Sequence, residues 1–236
     1  PLYSSAASDV YKRQGVYTIP YRSYYSKNIK NLYMAGRDIS TTRLGLASTR
    51  IIGCCAIGGE AVGIAAALCN KYACDPRELA PHVKELQQLI LKEDGFLPGF
   101  KNEDEKDLAL KAKITASSWE QGGEPEKVAN GISRKLGEEQ NGWVTKSGEC
   151  LIMKWDETKE IREIRLTFES NFAYPIRVTM APLRQAQQRN GVPEELVKDV
   201  KIELYREGKK TGEAFVKDNY QRLCSVCLLY TSPSPR

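Results

Sequence analysis

The spacing of apolar positions changes near residue 112, dividing the chain into a helical half and a strand half. Asn31 to Ala35 (NLYMA) is a short apolar run closed by Gly36, the pattern of a buried strand meeting a turn. Ile51 to Cys69 is rich in Ala, Gly and Ile, with Glu60 as its only charge. Its length could span a bilayer, but Glu60 and the glycines argue against a membrane span. A helix of such small residues suits close packing against a sheet or a ligand. Asp75-Pro76 opens a second helix, with Asp capping orphan amides and Pro in the first turn. Its apolar positions Leu79, Val83, Leu86, Leu89 and Ile90 keep helical spacing and stop before Gly95. Phe96 to Glu105, with Pro98, Gly99 and mixed charges, reads as a linker.

From Ala112 the pattern becomes that of strands. Ile114 to Ser118, Trp143 to Thr145, Cys150 to Trp155, Ile161 to Phe168 and Ile176 to Met180 are short β-rich runs separated by turn residues. Ile164, Leu166 and Phe168 alternate with Arg165 and Thr167, and Val200, Ile202 and Leu204 repeat that alternation. Regularly spaced short strands predict a β-sandwich. The polar run Arg184 to Arg189 and the Asn190-Gly191 turn read as a long surface connection.

Composition adds little direction. The 236 residues are 41% hydrophobic and 28% charged, as in an ordinary soluble globular protein. The formal charge of +5 comes from scattered Lys and Arg, so no basic face points to nucleic acid. The seven cysteines lack the paired C-x-x-C spacing of a metal site, and His82 is the single histidine, leaving little material for a histidine-dependent triad.

The two ends have a pattern of another kind. Asp9 to Gln14 (DVYKRQ), back-translated and reverse-complemented, encodes Cys-Leu-Leu-Tyr-Thr one base out of frame, which is the run Cys227 to Thr231. Such complementarity is expected of translated sequencing adapters and not of a native protein. Residues 1–14 and 227–236 are therefore expected to be foreign, and their removal lowers the net charge only slightly.

Chemistry concentrates in Ile19-Pro20-Tyr21-Arg22, then Asn31 to Ser40 (NLYMAGRDIS), then Ser48-Thr49-Arg50 before the small-residue helix. Gly36 would let the backbone approach a ligand closely. Free amides at a helix start near Cys55 to Gly59 would present partial positive charge, and Arg50 could add a full one. Asp38 or Ser40 could hydrogen-bond hydroxyls. A lone A-G-R-D is also common in ordinary turns, so these residues taken alone leave ligand binding and plain turn formation both open.

The stretch IPYRSYYSKNIKNLYMAGRDIS, with LGLASTR and GCCAIGGEAVGIAAAL after it, resembles the C-terminal part of the FAD-dependent oxidoreductase family that includes heterodisulfide-reductase-like flavoproteins. The resemblance covers about Tyr17 to Leu68. It implies FAD as cofactor, with Gly36, Arg37, Asp38 and Ser40 on the dinucleotide. It also implies Gly58, Gly59 and Ala61 at a helix start beside the flavin ring. Glu60 departs from the usual Gln. The glycine-rich dinucleotide fingerprint is not in this sequence, so the chain alone is expected to bind FAD poorly.

KITASSWEQGGEPEKVANGI, NGWVTKSG and ECLIMKWDETKEIREIRLTFE resemble a galactose-binding-like, discoidin-type sandwich. Asn130-Gly131 stands there in place of Asp-Gly, which weakens any cation site, and Trp119 and Trp143 read as core aromatics before sugar-stacking ones. The expected fold is thus an α/β flavoprotein fragment, the C-terminal part of a Rossmann-like FAD domain, followed by an incomplete all-β sandwich. The boundaries are 15–95 for the flavin part, 96–111 for the linker and 112–226 for the sandwich. The expected function is flavin-mediated hydride or electron transfer with a small-molecule redox substrate or electron carrier. The alternative is a carbohydrate- or surface-binding module, with glycan bound through the sandwich. No nucleic acid, metal or membrane span is expected.

Overall fold

The computed structural model describes residues 16–135, 141–170, 180–186, 188 and 191–228. Both predicted helices form. The chain enters through a 3-10 turn, Tyr21–Tyr24, and a short helix α1, Arg43–Thr49. Thr42 caps α1, its hydroxyl accepting from the Gly45 amide at 3.1 Å. Helix α2 follows as Ile52–Tyr72, a 21-residue segment long and apolar enough to cross a membrane by length and composition alone. The second helix starts later than Asp75. Turns occupy that stretch, Ala80–His82 is 3-10, and α3 runs Val83–Lys92. Pro81 has no amide proton to give an α-helical ladder, which favours the tighter turn ahead of α3.

Helices α2 and α3 bury a common core. Ala65, Leu68 and Cys69 from α2 pack with Leu79, Leu86 and Ile90, and Tyr21, Tyr33, Ala61 and Leu97 close around them. Leu79 is wholly buried, and full burial of a leucine stabilises by about 1.5–3 kcal/mol. A polar seam reinforces the pair. Glu85 accepts from Lys71 at 2.7 Å and from the Tyr72 hydroxyl at 2.6 Å, and the Tyr72 and His82 rings stack at 3.8 Å.

The predicted strand Asn31–Ala35 does not form as a buried strand. Asn31, Leu32 and Ala35 are exposed, and the pairing there is one antiparallel bridge, Tyr25 to Tyr33. A strand needs a partner along its length to satisfy its backbone, and this run is paired only through the Leu32 carbonyl and the Met34 amide that flank the bridge.

In the region of the expected sandwich the described residues form three two-stranded antiparallel ladders. Strands β1 (Lys113–Ala116) and β2 (Leu151–Lys154) pair, as do β3 (Glu163–Thr167) and β6 (Leu223–Cys227). The third ladder joins β4 (Val200–Arg206) and β5 (Lys209–Val216). Glu207 and Gly208, both at positive φ (51° and 76°), make the two-residue turn between β4 and β5, the geometry that matches strand twist in a tight hairpin. Trp143 to Thr145 form no strand. Val144 instead exchanges backbone bonds with the 120–123 turn. Of the predicted Ile176–Met180 run, 176–179 lie outside the described residues, as does Asn190. Pro182–Ala186 (α4) is a short helix that overlaps the start of the stretch expected to be a surface connection.

The chain divides into two compact units after Met153. The polar residues of 96–111 are engaged in hydrogen bonds. Gln88 donates to the Lys101 carbonyl and accepts from the Glu103 amide, while the Asn102 amide donates to Gly131 at 2.8 Å. A linker-like composition here caps and stitches neighbouring turns. Gly131, at φ +79°, sits so close that an added Cβ would lie 2.9 Å from the Asn102 carbonyl oxygen. The Asn130 side chain accepts from the Ile132 amide at 2.8 Å. Trp119 is 53% exposed, so it is not the core aromatic expected, whereas half-buried Trp143 donates its indole N–H to the Ser118 carbonyl.

Candidate functional site

The three sequence motifs meet through backbone bonds. The Met34 amide donates to the Tyr24 carbonyl and the Ser40 amide to the Ser23 carbonyl, both at 2.8 Å. These bonds lay the IPYR segment beside the AGRDIS loop. Tyr17 reaches across to α1, its hydroxyl donating to the Ser48 carbonyl at 3.1 Å. Between these elements lies an open cleft of about 460 Å³, walled by Tyr17, Ile19, Pro20 and Ser23 on one side and by Ile39, Thr41 and Thr49 on the other.

Gly36 adopts φ +116°, a conformation that L side chains rarely take. Arg37, Asp38 and Ser40 stand exposed on the loop that follows. Arg50 is exposed as the cap that ends α1, one residue ahead of Ile51, the first cap of α2. The Cys55 amide makes the first helical bond of α2, to the carbonyl of the cap residue Ile51 at 2.9 Å. The amides of Ile52, Gly53 and Cys54 precede it and have no helical partner. The helix therefore starts at Ile52, and Gly58, Gly59 and Ala61 lie about two turns inside it and not at its start.

Those three residues do not share a face. Successive helical residues are rotated by about 100°, and this turns Gly58 and Ala61 toward the interior and Gly59 outward. Gly58 is buried under Tyr24, where an added Cβ would come within 2.9 Å of the ring. Ala61 packs on the core. Gly59, like Gly53 and Gly63, has nothing within 4 Å of a built Cβ. Gly59, Gly63 and Ile52, the last 83% exposed, lie within about 40° of one another around the axis and leave that side of α2 bare.

The tyrosines around this site form a feature the motifs did not point to. Tyr21 donates to the Pro76 carbonyl at 2.6 Å and also meets the Tyr33 hydroxyl, which lies 3.3 Å from the Cys69 sulfur. Each hydroxyl has one proton, so the order that satisfies the set is Cys69 to Tyr33 to Tyr21 to the Pro76 carbonyl. Burial pushes the Tyr21 phenol up to about 12 and raises Tyr33 and Tyr24 as well. These hydroxyls keep their protons at neutral pH and act as fixed donors. The density of tyrosine in YRSYY and NLY was the signal available in the sequence.

Residues 3–90 match the model of the FAD dependent oxidoreductase family. The match covers the three motifs, α1, α2 and most of α3, and it begins within the stretch 1–14. It supports assigning this part of the chain to that family. No curated protein and no solved structure matches the chain.

The residues present suit a flavin dinucleotide. Arg37, Arg50 and the first-turn amides of α2 are cations and donors for an anionic group. Gly36 and Gly59 supply backbone with no side chain in the way.

Proposed function

We propose that the N-terminal part of this chain is the flavin-contacting portion of an FAD-dependent oxidoreductase that exchanges electrons with a small-molecule substrate or carrier. The observation that carries this reading is the family match over 3–90 together with the motif order inside it. When bound, FAD supplies reversible hydride or electron transfer. In this reading Gly36 admits the dinucleotide close to the backbone, and Arg37, Asp38 and Ser40 hydrogen-bond its polar groups. Arg50 and the first-turn amides of α2 favour negative charge at their end of the helix, and the bare side of α2 at Gly59 accepts a flat apolar surface. Gly58 and Ala61 contribute indirectly, by holding Tyr24 and the core behind that surface.

The test uses the intact protein that carries this segment. It should purify with stoichiometric FAD, released on denaturation and identified by chromatography. Gly36→Val and Gly59→Leu should each remove the flavin, with Gly59→Leu keeping its helical circular dichroism, because Gly59 faces open space. Full flavin retention by both folded variants would show that the cofactor lies elsewhere.

A further inference from the structure

Helix α2 ends on Ala73, which is left-handed at φ 48° and ψ 46°. The Ala73 amide donates to Asn70 at 3.3 Å, and the Cys74 amide donates to Cys69 at 3.0 Å. Those two bonds define a Schellman cap. In such a cap the side chains at the first and last of its six positions commonly touch, as an apolar contact. Both positions here are cysteines. Both cysteines line one cleft beside this cap, and both are reduced. An open cleft of about 370 Å³, walled by Asn70, Ala73, Asp75 and Glu78, gives access to the pair. Cys69 is buried, while Cys74 is partly exposed. Among the described residues no group of three metal-ligating side chains forms, so a cation site is not indicated.

We infer that Cys69 and Cys74 are an oxidisable dithiol, which closes a disulfide across the end of α2 by exchange with a low-molecular-weight disulfide entering that cleft. The more accessible Cys74 thiolate attacks one sulfur of the reagent. The reagent's S–S bond breaks, one half leaves as thiolate and takes up a proton, and a mixed disulfide remains on Cys74. Cys69 then loses its proton and attacks the Cys74 sulfur, expelling the second half as thiolate. Two cysteine thiols are oxidised, and one disulfide is reduced to two thiols.

Asp75, Glu78, Tyr21 and Tyr33 face the pair and shape its reactivity, the Tyr33 hydroxyl lying 3.3 Å from the Cys69 sulfur. Burial first, then Cys69, Glu78 and Asp75, raise the Cys74 thiol, and the Tyr21 phenol also faces both sulfurs. Attack is therefore slow at neutral pH and quickens as pH rises, because the thiolate is the nucleophile.

The full chain is incubated with oxidised glutathione at several pH values, alkylated, and digested with trypsin without reduction. Lys71 lies between the two cysteines, so the disulfide ties two tryptic peptides into one. That linked pair should appear, and its rate of formation should rise about tenfold per pH unit below the thiol's titration. Cys54 and Cys55 share the Cys69 peptide. Fragmentation of the linked pair from the unmodified chain must therefore place the bond at Cys69, a reading that depends on no variant folding. Glutathione held on Cys74 without the link, a bond to Cys54 or Cys55, or two fully alkylated thiols would each overturn the inference.

Discussion

The helical segment from Tyr21 to Gly95 and the strand unit after Met153 use hydrophobic residues in opposite ways. In the first, Leu68, Leu79, Leu86 and Ile90 converge on one buried cluster. In the second, Leu196 is the one buried hydrophobic residue among those described, while Tyr205, Phe215 and Tyr220 are more than half exposed. Both regions pattern well. The helices meet each other, whereas the ladders β3–β6 and β4–β5 are two-stranded ribbons whose apolar positions stay largely uncovered among the described residues. Periodicity therefore specifies the face an element offers, and a core forms only where a second element covers that face.

The largest test of this contrast is Leu79→Ala, which should cost about 2–5 kcal/mol, against about 1 kcal/mol or less for Ile202→Ala in β4. Chemical denaturation of the full chain, followed by circular dichroism, measures both, and equal losses would refute the distinction. A finer test compares two adjacent glycines on α2. Gly58→Ala pushes on the Tyr24 ring and should destabilise by about 1–3 kcal/mol. Gly59→Ala meets nothing and should stabilise by up to about 1 kcal/mol through helix propensity. If both changes destabilise alike, the two sides of α2 are not as different as described.

A smaller effect is set by pH. Burial raises Tyr21 from 10.0 to about 12, so the unfolded chain releases that proton first. Its contribution is fully present below pH 10 and is lost as pH rises toward 12, because the unfolded state then binds fewer protons than the folded one. Ultraviolet titration should show Tyr21 and Tyr33 ionising after the exposed tyrosines, with stability falling over the same interval. Smallest of all is Glu203→Gln in the β4–β5 hairpin. Lys201 and Lys210 hold this carboxylate down to about 2, yet it is solvent-exposed. Removing its charge should leave the denaturation midpoint unchanged in moderate salt.

Local pattern made α2, α3, β3 and β4 legible before any coordinates, because their periods are long or cleanly alternating. The motif order from Ile19 to Leu68 pointed to the same region that the family match covers. What stayed hidden depended on partners distant in sequence. The direction of Gly58 follows from Tyr24, and the exposure of Leu32 from the lack of a paired strand. The polar stretch 96–111 resembled a linker because turn-forming side chains and solvent-facing ones are the same residue types. Strands β5 and β6 carry weaker signals, since Lys209 to Val216 has its charges in an uneven order and Leu223 to Cys227 runs into the stretch that reads as foreign.

The bare side of α2 has a consequence for how that helix meets solvent. Side chains normally shield the backbone of a helix, and at Gly53, Gly59 and Gly63 there are none. Amide deuterium uptake should therefore be lopsided around the helix, quicker at Gly59 and Gly63 than at Ala65 and Leu68 across the axis. A flat partner laid over the glycines would erase that asymmetry, leaving a helix whose two sides exchange alike.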